Sequence, residues 1–256
     1  MPANTIFCIP EGCTQLYRNA LAEQSGLIEL SVPASVRYIS PSLNCINLRR
    51  INVDAFNQIY DSRNNCNAVI ETAANKLVVG CASTTIPSTV KIIGSYAYDS
   101  NRNDENFNTL VIPNSVEEIQ QYAFAYLNYL RNVYIGSKVN KFGYYIFHDC
   151  KNLEAIESLN GFPNDIGEYV FKSGSKDFSF YDNVTLYVPV GCRNNYRLAT
   201  GWSNFKNIVE GSFVDGIENI VKDNSKSNVM YSPNGVRLSV SQKGINIING
   251  KKLLMK

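Results

Sequence analysis

The chain has 256 residues, 45% hydrophobic and 18% charged, with 24 basic against 22 acidic side chains for a formal charge of +2. That is less charge than the ~25% of an average soluble domain, yet far too apolar a composition for disorder. Like charges run no longer than a pair, Arg49-Arg50 and Lys251-Lys252 being the densest basic spots, and no stretch approaches the ~18–20 apolar residues of a membrane helix, which argues against a nucleic-acid surface and a membrane span. Met1-Pro2-Ala3-Asn4 begins no signal peptide, so an exported protein would have lost its signal from this chain.

In chain order, Ile9-Pro10-Glu11-Gly12-Cys13 followed by Tyr17-Arg18 is matched far downstream by Val188-Pro189-Val190-Gly191-Cys192 followed by Tyr196-Arg197. Each predicts a strand leading into a short helix. A repeat runs between them. Ile86-Pro87-Ser88-Thr89-Val90-Lys91-Ile92-Ile93-Gly94-Ser95-Tyr96-Ala97-Tyr98 returns as Ile112-Pro113-Asn114-Ser115-Val116-Glu117-Glu118-Ile119-Gln120-Gln121-Tyr122-Ala123-Phe124. A degenerate third copy runs from Ile135-Gly136 through Val139 and Phe142-Gly143 to Ile146-Phe147.

With the proline as marker, apolar residues stand six, three and one positions earlier: Leu27, Leu30 and Val32 before Pro33, and Leu48, Ile51 and Val53 before Asp54. Phe107, Leu110 and Ile112 precede Pro113, and Leu130, Val133 and Ile135 precede Gly136. Leu153 and Ile156 carry the phase into Leu159, as Leu186 and Val188 do into Pro189. The steps from 33 to 189 are 21, 33, 26, 23, 23 and 30. A period near 23 with insertions falls inside the ~20–29 residues of leucine-rich repeats.

The spacing of two between the last apolar positions predicts one short ladder strand per coil, ended by a proline that has no N–H to donate. The following Val-x-x-Ile-Gly-x-x-Ala-Phe then fills the coil interior, with Tyr98, Phe124, Phe147 and Phe171 stacked between coils. In the longest step, two β-prone runs from Cys66 to Cys81 flank a turn at 72–75 and predict an inserted hairpin. Pairing Glu71 with Lys76 sets Val69 opposite Val78 and Cys66 opposite Cys81, which suits either a disulfide or two free thiols. Residues 193–205 with Trp202 predict an end cap over the last coil.

The expected fold is therefore a leucine-rich-repeat solenoid, mostly β, with one parallel strand per coil, irregular or short helical returns and a β-hairpin insertion. Its expected domains are a capped solenoid over 1–211, a polar linker over 212–228, and a small C-terminal β module over 229–256 that alternates polar and apolar residues around Asn-Gly turns.

The Ile-Pro-x-x-Val-x-x-Ile-Gly-x-x-Ala-Phe repeat resembles that of the BspA-like leucine-rich-repeat family of bacterial surface and secreted proteins, abundant among Bacteroides relatives. The likeness covers about residues 5–209, and the insert at 60–72 and the cap at 187–192 are also similar to segments common in that family. The tail, with Gly235-Val236-Arg237-Leu238 and Lys243-Gly244-Ile245-Asn246-Ile247-Ile248, looks like an abbreviated C-terminal β module of exported Bacteroidetes proteins. The resemblance implies an extracellular or cell-surface, non-catalytic protein whose usual role is adhesion.

Sites of chemistry are sparse in the sequence. The seven cysteines, at 8, 13, 45, 66, 81, 150 and 192, form no Cys-x-x-Cys pair and read mostly as small core residues. The single histidine, His148, stands two residues from Cys150, too close along the chain for a nucleophile–base pair with an orienting third group. No calcium loop, phosphate loop or Gly-x-Ser-x-Gly elbow occurs, Asn101-Arg102-Asn103-Asp104-Glu105-Asn106 reads as a solvated loop, and no catalytic residue, metal site or cofactor is implied.

What remains is a surface. Alternation along the strands turns Arg50, Asn52, Thr109, Val111, Asn132, Tyr134, Glu157, Thr185 and Tyr187 outward, a mixture suited to binding a protein or glycan on a host or bacterial surface. The middle coils add Tyr122, Tyr126, Tyr129, Tyr144 and Tyr145. Two other readings stay open: an extracellular enzyme or enzyme accessory whose groups converge from separate coils, and a structural spacer.

Overall fold

The computed structural model describes residues 2–22, 24–99, 104–171 and 179–212, together with short strands between 230 and 255. Most of the expected linker over 212–228, both Asn-Gly turns of the tail and part of the 101–106 loop lie outside the described residues. The chain divides into two compact units, residues 1–213 and 214–256.

In the first unit the strands are β1 (Thr5–Cys8), β2 (Gln15–Leu16), β3 (Leu27–Val32), β4 (Tyr38–Ile39), β5 (Arg50–Val53) and β6 (Tyr60–Asp61). They continue with β7 (Ala68–Glu71), β8 (Lys76–Gly80), β9 (Ile92–Ile93), β10 (Thr109–Ile112), β11 (Glu118–Ile119), β12 (Asn132–Ile135), β13 (Lys141–Phe142) and β14 (Ala155–Ser158). Helix α1 (Ser179–Asn183), β15 (Thr185–Val188), α2 (Arg193–Leu198) and β16 (Asn207–Glu210) complete it.

The longer strands form the expected parallel ladder, split into two sheets of order β1-β3-β5 and β10-β12-β14-β15-β16. Inward positions line up from coil to coil, Leu30 beside Ile51 and Leu110–Val133–Ile156–Leu186–Ile208 along the second sheet. The two-residue strands build the opposite side, where β9, β11 and β13 pair in parallel through the Val-x-x-Ile part of each repeat. Inside, Phe124 lies between Tyr98 and Phe147 with ring centroids 5.1 and 5.6 Å away, and Phe147 stacks on Phe171 at 6.0 Å. Repeat glycines permit the close approach of coils: a Cβ on Gly143 would collide with the backbone at Gln121.

The hairpin β7–β8 is where the ladder splits. It joins the short-strand sheet of order β13-β11-β9-β8-β7-β6, and both of its faces are buried. Ala68, Ile70 and Leu77 pack into the core of the later coils, whereas Val69, Val78, Val79 and Cys81 pack into that of the earlier ones. Its register corrects the sequence reading. Glu71 does pair with Lys76, but a bulge between Val69 and Ile70 sets Val69 opposite Val79, not Val78. The extra residue slips Cys81 toward Asn67, whose carbonyl accepts from its thiol at 3.3 Å, and Cys66 and Cys81 stand as free thiols.

At the turn of the hairpin, Arg63 donates to both oxygens of Asp61, at 2.7 and 2.5 Å, and from Nη1 to Asn75 Oδ1 at 2.7 Å. Thr72 Oγ1 donates to Asp61 as well. Burial alone would raise the Asp61 carboxyl, but the hydrogen bonds from Arg63 and Thr72 outweigh it and hold the group below its ordinary value.

The two matched proline segments behave differently. The later one forms α2, whose Tyr196 is buried against Trp202 at 5.3 Å and donates its hydroxyl to Asn160 O at 2.6 Å. The earlier one forms no helix: Gln15 and Leu16 pair as β2 with β4, and Tyr17 is 63% exposed. Its aromatic neighbour, Tyr38 at 6.1 Å, is itself exposed, so no buried aromatic contact rewards a helical turn there. Beyond the cap, β16 adds one more parallel strand to the ladder.

The second unit contains β17 (Met230–Tyr231), β18 (Arg237–Leu238), β19 (Gly244–Ile248) and β20 (Lys251–Met255), an antiparallel sheet of order β18-β17-β19-β20.

Three outcomes follow from this architecture. Phe124 is fully buried, so Phe124→Ala should cost ~3–5 kcal/mol of unfolding free energy in a urea melt, through the cavity left between coils. Because the Asp61 pKa is depressed, its stabilisation is complete above the unfolded carboxyl value of ~3.9 and is lost as pH falls through the lower folded value. Thermal melts between pH 5 and 2.5 should therefore show a steeper acid decline for the parent chain than for Asp61→Asn. Burial raises the thiols of Cys45 and Cys150 to about 12 and that of Cys81 to about 11, so iodoacetamide at neutral pH should label exposed Cys8 well before these three.

Candidate binding face

The nine outward ladder residues do not form one continuous surface. Arg50 and Asn52 stand exposed on β5, in the earlier sheet, with Arg50 paired to Glu29 at 3.2 Å. The other seven lie on the later sheet, in the rows Thr109–Asn132–Ala155–Thr185 and Val111–Tyr134–Glu157–Tyr187. Thr109 is exposed, and Val111, Asn132, Thr185 and Tyr187 are half-buried.

Tyr134 and Glu157 overturn the expectation of exposure, at 1% and 8% exposed. Just past β16, Ser212 reaches back to this row, where its Oγ donates to Glu157 Oε2 at 2.7 Å. Burial, followed by the Glu157 charge, pushes the Tyr134 hydroxyl up to about 12. The middle of the ladder is a covered surface.

A different set of side chains lines up along the solenoid. Two residues before each stacked core aromatic stands a tyrosine: Tyr96, Tyr122, Tyr145 and Tyr169. All four are half-buried, and they form a column of their own. Tyr96 and Tyr122 stack at 5.0 Å and 4°, Tyr122 and Tyr145 at 5.3 Å and 29°, and Tyr145 meets Tyr169 at 5.8 Å and 50°. The Arg18 guanidinium lies 5.8 Å from the Tyr96 centroid, extending the row by a cation–π contact.

The backbone beneath this row is unusual. Tyr96, Tyr122 and Tyr145 have φ of 55°, 55° and 56°, and Tyr126 has 65°. Left-handed backbone in a bulky residue is an outlier. The conformation points each N–H at the next coil, Tyr122 N to Tyr144 O at 3.0 Å and Tyr145 N to Tyr169 O at 2.7 Å. The corresponding turn of the first coil uses Asn19 at φ 60°, a residue that tolerates this region well.

His148 belongs to the same cluster. Its ring meets Tyr122, Tyr126 and Tyr145 edge-on at 5.7, 5.2 and 5.6 Å. Cys150 is turned away from it: the thiol donates to Phe124 O at 3.1 Å, and burial raises it to about 12. The pair is not arranged as nucleophile and base. Among the described residues, no group of three metal-ligating side chains is found, and no helix is long and apolar enough to cross a membrane.

Tyr122, Tyr126 and Tyr145 were visible in the sequence as an aromatic enrichment, but Tyr96 and Tyr169 were missed as members of a row. The spacing of two from Tyr98, Phe124, Phe147 and Phe171 was the available signal.

The chain is similar to solved structures of low sequence identity. One is a leucine-rich repeat protein from Eubacterium ventriosum, with 20% identity, a TM-score of 0.56, and coverage of 80% of this chain and 54% of that one. This chain thus spans about half the length of that protein. Another is the pneumococcal vaccine antigen PcpA, with 13% identity, a TM-score of 0.45 and coverage of 80% and 67%. A leucine-rich cell surface protein from Faecalibacterium prausnitzii aligns at 17% identity, a TM-score of 0.41 and coverage of 84% and 61%. No curated protein matches the chain. The model of the BspA type leucine-rich repeat region matches in six copies, over residues 3–70, 69–186 and 102–215. With that match spanning the whole solenoid, and with the repeat motif lying where the ladder strands and their returns require it, the chain belongs to the BspA-type leucine-rich-repeat family.

Proposed function

We propose that this chain is an extracellular or cell-surface recognition protein without catalytic activity, and that it holds a protein or glycan of a host or bacterial surface along its tyrosine row. Family membership supports the location and the non-catalytic class. The observation that carries the reading is the conformational cost of the row.

A turn that needs a left-handed residue is filled most easily by glycine or asparagine. Tyr96, Tyr122 and Tyr145 occupy it instead, each at a cost of ~1–2 kcal/mol. Ring stacking at ~0.5–1.5 kcal/mol per pair roughly offsets that cost, so the fold gains little over asparagine. What the tyrosines add is a rigid strip of amphipathic side chains, the kind that dominates recognition hot spots.

An array of glycans and extracellular-matrix proteins, probed with the full chain, tests the proposal. The double variant Tyr122→Asn/Tyr145→Asn suits the left-handed backbone and leaves the stacked core aromatics in place, so it should still unfold in one cooperative urea transition. Its array signal should fall by about tenfold or more. Full binding by this folded variant would overturn the row as the site.

A further inference from the structure

The tyrosine row is interrupted toward its N-terminal end, and the cause is visible in the chain. From β8 to the position before the next proline marker, Lys76 to Ile86, the chain takes 10 steps, whereas the corresponding return from Glu118 to Ile135 takes 17. The hairpin coil therefore lacks the outer turn on which a row residue would stand. Its neighbours on either side meet across the gap, where Ser42 Oγ donates to Asp99 Oδ2 at 2.5 Å from 57 residues away.

The gap is a cleft of about 220 Å³. Arg18, Asn19, Ser42 and Asn44 line one side, and Tyr96, Asp99, Tyr122 and Tyr126 the other. This is smaller than the ~300–1,000 Å³ of drug-sized sites and suits one ring-sized group. Asp99 is 5% exposed and brings its carboxylate to the cleft, and two carboxamides come from Asn19 and Asn44.

Charge narrows the choice of occupant. The Asp99 carboxylate disfavours an anion, while the Arg18 guanidinium on the same cleft disfavours a cation. A neutral group rich in hydroxyls satisfies both, because each hydroxyl donates to a carboxylate and accepts from an amide or guanidinium. The lining is too polar for the apolar anchor of a protein partner, yet it retains tyrosine rings on which the C–H face of a sugar can rest.

Left-handed backbone also gathers at the same place. Of the twelve non-glycine residues with positive φ among the described residues, Asn19, Asn44, Tyr96, Tyr122 and Tyr126 all line this cleft. Clustering of that kind is characteristic of ligand clamps.

We propose that this cleft is a subsite for one ring of a neutral glycan, held by hydroxyl contacts to Asp99, Asn19 and Asn44 and seated against Tyr96 and Tyr126. It rests on the reading of the chain as a recognition protein and assigns the ligand class at one end of its row.

The test is saturation-transfer NMR of the full chain with the methyl glycosides of glucose, galactose, mannose and N-acetylglucosamine, alongside sialic acid and choline as charged probes. Asn19→Gly/Asn44→Gly removes both carboxamides at left-handed positions where glycine is at ease, so the fold should be retained. Should this variant misfold, Arg18→Ala, at an exposed side chain, takes its place.

The expected result is binding of at least one neutral glycoside, weakened about tenfold or more by the glycine variant and less than about twofold by Lys206→Ala, an exposed position outside both the row and the cleft. Three results would overturn the proposal: silence from every neutral glycoside, preference for a charged probe, or binding that the glycine variant leaves intact. A silent panel beside an array signal that still depends on Tyr145 would remove the cleft and leave the row standing; silence in both would remove both.

Discussion

The arrangement of the molecule depends on a hairpin that is apolar on both faces. In most coils a strand presents one face inward and one outward, but β7 and β8 have coils on either side, so every residue from Ala68 to Ile70 and from Leu77 to Gly80 is buried. The hairpin acts as a septum. It divides the interior into two cores, breaks the ladder into sheets of three and five strands, and shortens the return that follows. Arg63 and Asp61 fix its turn through Asn75 and Thr72, and a septum without a solvent face has no edge where a shifted register could be accommodated.

Much of this fold was legible in the chain because the repeat couples three independent signals: alternation over two residues, a proline that ends the strand, and an aromatic that fills the next coil. Where all three coincide, as from Ile112 to Phe124, strand, return and core position follow directly. The hairpin register was less legible because its bulge at Val69 serves packing against both cores, and nothing local marks it. Similarly, the likeness of the segments at 9–18 and 188–197 concealed a difference in surroundings, since only the later tyrosine has Trp202 beside it.

The candidate surface was less legible for a related reason. Alternation states which side of a strand faces away from the core, but not whether another segment lies over that side, as the chain after β16 does at Glu157. Nor does a sequence state φ. Asn57 illustrates the point in the interior: it stands three residues after its marker, where Val36, Val90, Val116 and Val139 stand in other coils, and reads as a break in the pattern. Buried, it donates to Pro33 O and Val36 O and accepts from the amides of Ile59 and Tyr60, so the polar substitution is fully satisfied.

The left-handed turn has a consequence for how such a surface diversifies. The turn is imposed by hydrogen bonds between coils, so whatever side chain stands there is displayed in the same direction from a backbone already committed to its shape. Replacing asparagine by tyrosine, or the reverse, alters one point of the surface while leaving the buried aromatic two residues later untouched. Each coil that makes this turn therefore offers one position that can drift under selection for new partners independently of the core. A lineage of these solenoids can acquire or abandon a binding strip one residue at a time, passing through intermediates that all fold.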